Sequence, residues 1–546
     1  MLGLGNLQAT LWDDVWAFMP ELILCGGIVL LLLLRMFRGL DRLHLGSLAL
    51  VLSLAAFGFS FSQWQAQPNS AMFSDLLAFD TFTVFLRLFL FGFAALFIWL
   101  TMLTGIPDHE DSGDFYCLLL GATVGMSLMA SSQHLLMIYI GVEMASLPSY
   151  ALAGFLKGKR QSSEASLKYV VYGGGASGVM LYGISLLAGK FGTAYLPDLA
   201  YAYAGALHQE SAAGVAGVDP YLVLGTLFIL IGMGFKLAAV PFHFWCPDVF
   251  EGASAEVAGF LSVASKGAAV ALLARFTLIL ANPSPGRFED WSAVAQYLVP
   301  GLAFFAALTT TFGNLAAYLQ SNLKRLLAYS TIAHAGYMMM GLAVLNKEGV
   351  SAVLFYLVAY LFMNLGAFAV VAIIRNQTGS EDLSSYRGLA YRSPLMAVLM
   401  SIFLLSLLGM PPLAGFAAKF QILGALIDAG KVYGSSGQAA LAYTMYFLVG
   451  ALAINTVLSA VYYIKVMKVM ILDKTVEEVE GRPSPPVPVS IGAAFYGTIL
   501  AAMIFVVGIA WDPLAKASNV GVQSFHVAAR AKSPAVAVQG NGDNSP

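Results

Sequence analysis

Charge is what this chain has least of. Only 11% of its 546 residues are Asp, Glu, Lys or Arg. Soluble domains carry about 25%. Cysteine is scarce too. Cys25, Cys117 and Cys246 lie far apart and form no C-x-x-C, so no iron–sulfur or zinc site is suggested. No G-x-G-x-x-G in a βαβ setting and no P-loop is present. The chain is therefore expected to hold no nucleotide, metal or redox cofactor of its own. It has no basic domain, and its net charge of −2 offers no footing for nucleic acid. The short alternating segments of a membrane β-barrel are also missing.

Apolar runs fill the space. The chain is 59% hydrophobic, with a mean hydropathy of +0.77. Repeated runs of ~20 residues are long enough to cross a ~30 Å hydrocarbon core as helices. The pattern predicts an all-α polytopic membrane protein with about fourteen spans. Their approximate cores are 20–37, 43–62, 78–104, 115–131, 133–156, 164–189, 220–240, 254–281, 296–319, 324–345, 350–375, 394–426, 441–470 and 488–511.

Basic residues orient the spans. Asp13 and Asp14 precede the first run, and Arg35, Arg38 and Arg42 follow it. That order reads as a retained first helix with its N-terminus outside, not a signal peptide. Loops after later odd-numbered spans hold Lys157, Lys159 and Arg160, then Lys324 and Arg325, then Arg375, Arg387 and Arg392, then Lys474 and Arg482. The opposite loops hold isolated cations such as Lys190, Arg287, Lys347 and Lys431. This asymmetry follows the positive-inside rule and puts both termini outside. The segment from about 514 to 546 is small, polar and aperiodic, and reads as a disordered tail.

Four ionisable residues interrupt the apolar runs: Glu143, Lys236, Lys266 and Lys419. Each costs ~3 kcal/mol near a bilayer centre on the lenient insertion scale, so roughly 10 kcal/mol together if unpaired and dry. A chain that needed only to span a membrane would not keep them. They point to ion movement through the interior. Two of them adjoin proline breaks. Pro241 follows Lys236 in GFKLAAVPFHFWCPD, and Pro411-Pro412 precede Lys419 in LLSLLGMPPLAGFAAKF. Broken helices are tolerated at membrane depth where the freed backbone lines a polar cavity. The breaks fall in spans seven and twelve, which suggests two related units of about five helices.

Each candidate has a plainer reading beside the functional one. Lys236 and Lys419 read as buried amines that gain and lose a proton, against lysines that snorkel from a helix end. Lys266 sits mid-span, and Gly267 beside it allows close packing. Glu143 reads as the partner of Lys236, against a protonated core acid. His334 shares a helical face with Ser330 and Tyr337. It is either a relay between Lys266 and Lys419 or a satisfied core histidine. His243 reads as a residue of the cytoplasmic mouth, with a structural role as the rival. Glu164 and Lys168 open the sixth span and read equally as interface anchors. Lys465 and Lys468 read as anchors, with proton exchange as the rival.

The order of GVEMASLPSYAL, LKYVVYGG, GFKLAAVPFHFWCPDVFEGA, NLKRLLAYSTIAHAGY and SLLGMPPLAGFAAKF resembles the antiporter-like subunits of respiratory complex I. The resemblance covers about residues 115–470. Within that family PDVFEGA after HFW, Lys419 in place of a glutamate, and the short polar end are most similar to NADH-quinone oxidoreductase subunit N. One departure is Ser254-Ala255-Glu256, where the family often has proline.

The resemblance implies two inverted five-helix units, each with a half-channel. It implies three N-terminal helices over 1–114, units over 115–281 and 296–470, and a last helix over 488–513. Glu143 and Lys236 would form a charge pair, with Lys266 and Lys419 continuing a hydrated axis. NADH, FMN, iron–sulfur clusters and quinone would belong to other subunits. The partners would be other membrane-arm subunits in a bacterial cell inner membrane. Two alternatives share the core: a subunit of a multisubunit cation/proton antiporter, and a subunit of a hydrogenase-type complex.

Overall fold

The computed structural model describes residues 4–36, 44–107, 111–212, 219–281, 292–475, 477–478, 481 and 486–525. Arg38, Arg42, Arg287 and Arg482 of the orientation argument lie outside these residues, as does the tail beyond 525.

The first elements are helices α1 (Leu4–Ala17), α2 (Met19–Met36) and α3 (Leu45–Ala66). A hairpin of strands β1 (Asn69–Met72) and β2 (Leu77–Asp80) follows. Then come α4 (Thr81–Thr104), α5 (Ser112–Ser131), α6 (Leu135–Ala153), α7 (Arg160–Phe191) and α8 (Leu196–Ala212). Next are α9 (Pro220–Leu237), the short α10 (Trp245–Gly252) and α11 (Ala255–Ala281). The second half holds α12 (Ser292–Ala317), α13 (Leu323–Leu342), α14 (Lys347–Thr378), α15 (Pro394–Leu408), α16 (Ala414–Ser435) and α17 (Ala439–Ile471). Helices α18 (Ile491–Ile509) and α19 (Asp512–Gln523) close the described chain.

Among the described residues, twelve helices are long and apolar enough to cross a membrane. The expected spans at 324–345 and 394–426 do not meet that measure. The first is α13, which carries Lys324, Arg325 and His334. The second is two helices, α15 and α16, separated at Gly409–Leu413. Both expected breaks are present. Helix α9 stops at Ala238, which takes a left-handed φ of 56°, and α15 stops at Gly409 with φ 93°. Gly409 fits that conformation without steric cost because it has no Cβ.

The all-α membrane architecture expected from the sequence is present, with a short antiparallel hairpin of β1 and β2 beside the helices. Helices α1 and α8 were not foreseen. Residues 514–523 are not a disordered tail. They belong to α19, which packs against α14 and α4. Its one apolar edge explains the miss, since small residues such as Ser518 and Gly521 carry the contact.

Helices α4, α11 and α14 form the centre. Every residue of Leu261–Ala281 is buried. By contrast α2, α3, α7 and α17 expose broad apolar faces, as helices at a lipid boundary do. The central helices therefore cannot reach lipid, and any polar group they carry must be satisfied by protein or water.

Candidate functional site: a buried line of lysines

Lys236, Lys266 and Lys419 are all buried, at 1%, 0% and 5% exposure. Snorkelling to an interface is excluded for all three. Each is held differently.

Lys236 ends α9. Its Nζ donates to Ser146 Oγ on α6 at 2.9 Å. The helix break beside it is stitched shut. Ala239 N donates to the Gly234 carbonyl at 2.8 Å, Trp245 Nε1 donates to the Phe235 carbonyl at 2.9 Å, and Val240 N donates to Thr309 Oγ1 at 3.0 Å. The break thus frees few backbone groups, and it fixes where the lysine points.

Glu143 lies one turn before Ser146 on α6. It is half-buried, with Met144 and Leu147 exposed beside it. Its charge acts on Lys236, yet Lys236 bonds Ser146 and makes no direct ion pair with Glu143 among the described residues. The expected pair is therefore not a direct contact, and Ser146 Oγ, which accepts from Lys236, itself donates to the Val142 carbonyl at 2.5 Å.

Lys266 follows a π-helical turn, Leu261–Ser265, within α11. Such turns are frequent at functional sites. Its Nζ donates to Cys246 Sγ on α10 at 3.8 Å, a weak contact for an ammonium. Gly267 accepts the Phe89 ring closely; a Cβ there would lie 2.6 Å from it.

Lys419 opens into the second break. Its Nζ donates to the Leu408 carbonyl at 2.9 Å and lies 4.6 Å from the centre of the Tyr337 ring. The end of α15 supplies both an unpaired carbonyl and the negative end of a helix dipole.

Between Lys266 and Lys419 stands His334 on α13. Its Nδ1 is 2.7 Å from Tyr356 OH and its Nε2 is 3.2 Å from Tyr463 OH. Tyr463 OH also meets Ser330 Oγ at 2.5 Å. Both Lys266 and Lys419 are near enough to act on the imidazole electrostatically. Beside it Ser262 Oγ meets Thr331 Oγ1 and Tyr360 OH, each at 3.1 Å, and Asn364 donates to Ser262. Tyr337 continues to Asn314, which bonds Asn455 and Tyr462.

Other candidates fall outside this line. His243 follows the end of α9. It is buried in the first break, packed 4.5 Å from the rings of Phe244 and Phe312. The aromatic residues that follow Pro241 fold over it. Lys168 pairs with Glu164 at 2.8 Å and with Asp248 at 2.7 Å, and Arg325 ties Asp248 to Glu251. Lys465 donates to the Tyr318 carbonyl at 3.0 Å, and Lys468 lies 3.9 Å from Asp473.

Sequence reasoning missed several groups. Ser146, Tyr356, Tyr360 and Tyr463 are common residue types in apolar helices and carried no signal alone. Two further buried charges did carry one. Arg87 and Arg275 lie inside expected spans. Arg87 pairs with Glu21 at 2.6 Å, and Arg275 with Asp80 at 2.9 Å, each pair essentially unexposed. Arg275 also donates to the Ala130 carbonyl and Thr83, so its guanidinium is well satisfied.

The two arginines and the three lysines solve the same problem in opposite ways. Arginine stays charged and is given a carboxylate. None of the three lysines has a carboxylate in contact among the described residues. Lysines so placed have no fixed counter-charge in contact, and their amines are held by a hydroxyl of Ser146, the thiol of Cys246 and the backbone carbonyl of Leu408.

Known proteins share this arrangement of helices. The family described as NADH:quinone oxidoreductase/Mrp antiporter, TM, matches residues 132–436, which include all four charged positions. NADH-quinone oxidoreductase subunit N of Anaeromyxobacter sp. (strain Fw109-5) is 41% identical over 529 residues, covering 95% of this chain and 98% of the relative. A chain of respiratory complex I from Thermus thermophilus with bound aureothin is 29% identical, with a TM-score of 0.69, over 92% of this chain and 100% of that one. A chain of the Mrp complex from Dietzia sp. DQ12-45-1b has the same fold, with a TM-score of 0.75 at 19% identity, over 94% of this chain and 98% of that one. The chain is a multi-pass membrane protein that belongs to the NADH:quinone oxidoreductase/Mrp antiporter family, in its NADH-quinone oxidoreductase subunit N branch.

Proposed function

We propose that this chain is a proton-translocating membrane-arm subunit of a bacterial NADH-quinone oxidoreductase in the inner membrane. The observation that carries the reading is the set of three buried lysines with no carboxylate in contact, two of which, Lys266 and Lys419, act electrostatically on a buried histidine held by tyrosine hydroxyls. Glu143 sets the charge state of Lys236 by its nearby charge. Lys266 and His334 carry the proton across the centre, and Lys419 is the exit side. NADH, FMN, iron–sulfur clusters and quinone act in other subunits, and this chain holds none of them. Both termini lie outside, and the two halves are inverted copies of one five-helix unit.

The energy scale is sufficient. Moving one proton against 100 mV takes ~2.3 kcal/mol. Two unit charges ~6 Å apart interact by about 3 kcal/mol at an effective dielectric constant of ~20. A change at Glu143 imposed by a neighbouring subunit is thus large enough to move the Lys236 proton. The half-buried position of Glu143, beside the exposed Met144 and Leu147, leaves it within reach of such a neighbour.

The test is proton pumping by assembled complexes carrying Lys236→Ala or Glu143→Ala. Pumping falls far more than assembly does. Normal pumping in assembled complexes sinks the assignment. The shared fold with an Mrp complex favours one second reading, a cation/proton antiporter subunit. Purification of the native complex separates the two. A complex I subunit copurifies with flavin and iron–sulfur absorbance, and an antiporter subunit does not.

A further inference from the structure

A long apolar cavity of about 340 Å³ lies between α9 and α12. Its wall follows α9 from Val223 to Leu237, roughly 21 Å of helix at ~1.5 Å per residue. It touches Leu273 of α11 and Met339 of α13, and it reaches Pro241 and Phe242 in the first break. Val223, Leu227 and Tyr297 on its wall are exposed. Both α9 and α12 are long and apolar enough to cross a membrane. The cavity is therefore continuous with the apolar faces that these two helices turn to lipid.

Gly301 accounts for part of the space. It lines the cavity, and a Cβ built there would meet no atom within 4 Å. Pro300, just before it inside α12, takes one backbone donor out of the helix. Water has little hold here. No charged side chain lines the cavity among the described residues, and the hydroxyls of Thr226 and Tyr203 bond each other at 3.4 Å. A buried water needs about two to four polar partners, whereas apolar cavities stay dry and take up apolar guests. A partner helix does not fit either. One helical turn, ~10 Å across and ~5.4 Å tall, fills roughly 420 Å³. This cavity spreads a smaller volume along about four turns of α9. A single extended hydrocarbon chain has that shape.

We propose that this cavity holds one acyl chain of a membrane phospholipid, seated between α9 and α12 and packed against Pro241 and Phe242 of the first break. The bilayer supplies such chains at the exposed edge of Val223, Leu227 and Tyr297, so the chain enters without leaving a hydrocarbon environment. Inside, its methylenes give the apolar wall the contacts that a void withholds. Ala239, tied by its N–H to the Gly234 carbonyl, also lines the cavity, as does Gly234 itself. The lipid chain is thus part of the packing around the segment that follows Lys236. The site needs none of the proton-carrying roles given above.

The test uses the intact complex in nanodiscs of phosphatidylethanolamine whose acyl chains carry bromine. A high-resolution map is expected to show one elongated density in the cavity with a bromine peak along it. An empty cavity, a quinone tail without bromine, or a side chain of a neighbouring subunit in that place overturns the proposal. Gly301→Leu fills the same space from the protein side. Its complexes are expected to lose the density and to retain one phospholipid fewer per complex after detergent washing. An unchanged density and lipid count in Gly301→Leu complexes also overturns the proposal. Should that variant assemble poorly, the map of the unaltered complex decides alone. Pumping by Lys236→Ala complexes tests the proton role separately, so either idea can fail without the other.

Discussion

Lys419 Nζ donates to the Leu408 carbonyl across the break that separates α15 from α16, at 2.9 Å. The amine thus stabilises the very helix end that the Pro411-Pro412 break creates. The carbonyl is one of those a helix terminus leaves unpaired, and the lysine is the group that pairs with it. Proton loss from Lys419 weakens this contact without deleting it, because a neutral amine still donates. Charge and break geometry are therefore coupled at one bond.

Lys419→Arg preserves positive charge and donors but cannot release a proton in a protein. The account expects assembled Lys419→Arg complexes with pumping reduced at least fivefold. Dye-detected acidification of proteoliposomes per NADH consumed measures it. Pumping at the unaltered level removes Lys419 from the proton path.

Ser146→Ala takes away the acceptor of the Lys236 ammonium. A hydrogen bond to a charged group contributes about 1.5–3 kcal/mol. The expected outcome is roughly a tenfold loss of pumping, with Ser146→Thr close to normal because the hydroxyl is kept. Equal rates in all three proteins mean that Ser146 does not hold Lys236.

Arg275 and Asp80 are expected to behave as structure, not as carriers. Breaking a buried pair costs about 3–5 kcal/mol, whereas replacing both members with apolar residues is often near neutral. Arg275→Met alone should lower the yield of assembled complex on native gels. The double change with Asp80→Leu should restore much of it, and the complexes recovered should keep their proton-to-electron ratio. A normal yield with reduced pumping in the single variant places Arg275 on the path.

Helix α19 is tied to the body by Ser351 Oγ donating to Asn519 Oδ1 at 2.6 Å and by the buried contacts of Ser518 and Val522. Ending the chain after Trp511 uncovers parts of α4 and α14. The expected result is a lower thermal midpoint for subunit dissociation. An unchanged midpoint shows that α19 adds no stability.

Much of this site was legible in the sequence. The lysines stood out because each interrupted an apolar run, and the breaks because proline and glycine mark places a helix cannot continue. What was not legible follows from geometry. Nothing in the spacing of Glu143 and Lys236 says that Lys236 bonds Ser146 and not Glu143, since the two helices meet only in three dimensions. Tyr356 and Tyr463 come from α14 and α17 to bond one histidine on α13, and tyrosine is too common in apolar helices to signal it. Arg87 and Arg275 were readable as membrane-depth charges. Their fixed partners Glu21 and Asp80 lie at helix beginnings, where acids draw no notice. The helix α19 escaped because its few apolar contacts look like a polar tail.

The central claim is that the buried lysines without carboxylate partners are the sites that gain and lose protons. The most direct measurement is the number of protons moved per NADH oxidised by reconstituted complexes with Lys236→Ala, set against complexes with the Asp80→Leu and Arg275→Met pair. The account predicts a marked fall in the ratio for the lysine variant at normal assembly, and an unchanged ratio for the arginine pair. An unchanged ratio for assembled Lys236→Ala complexes contradicts it.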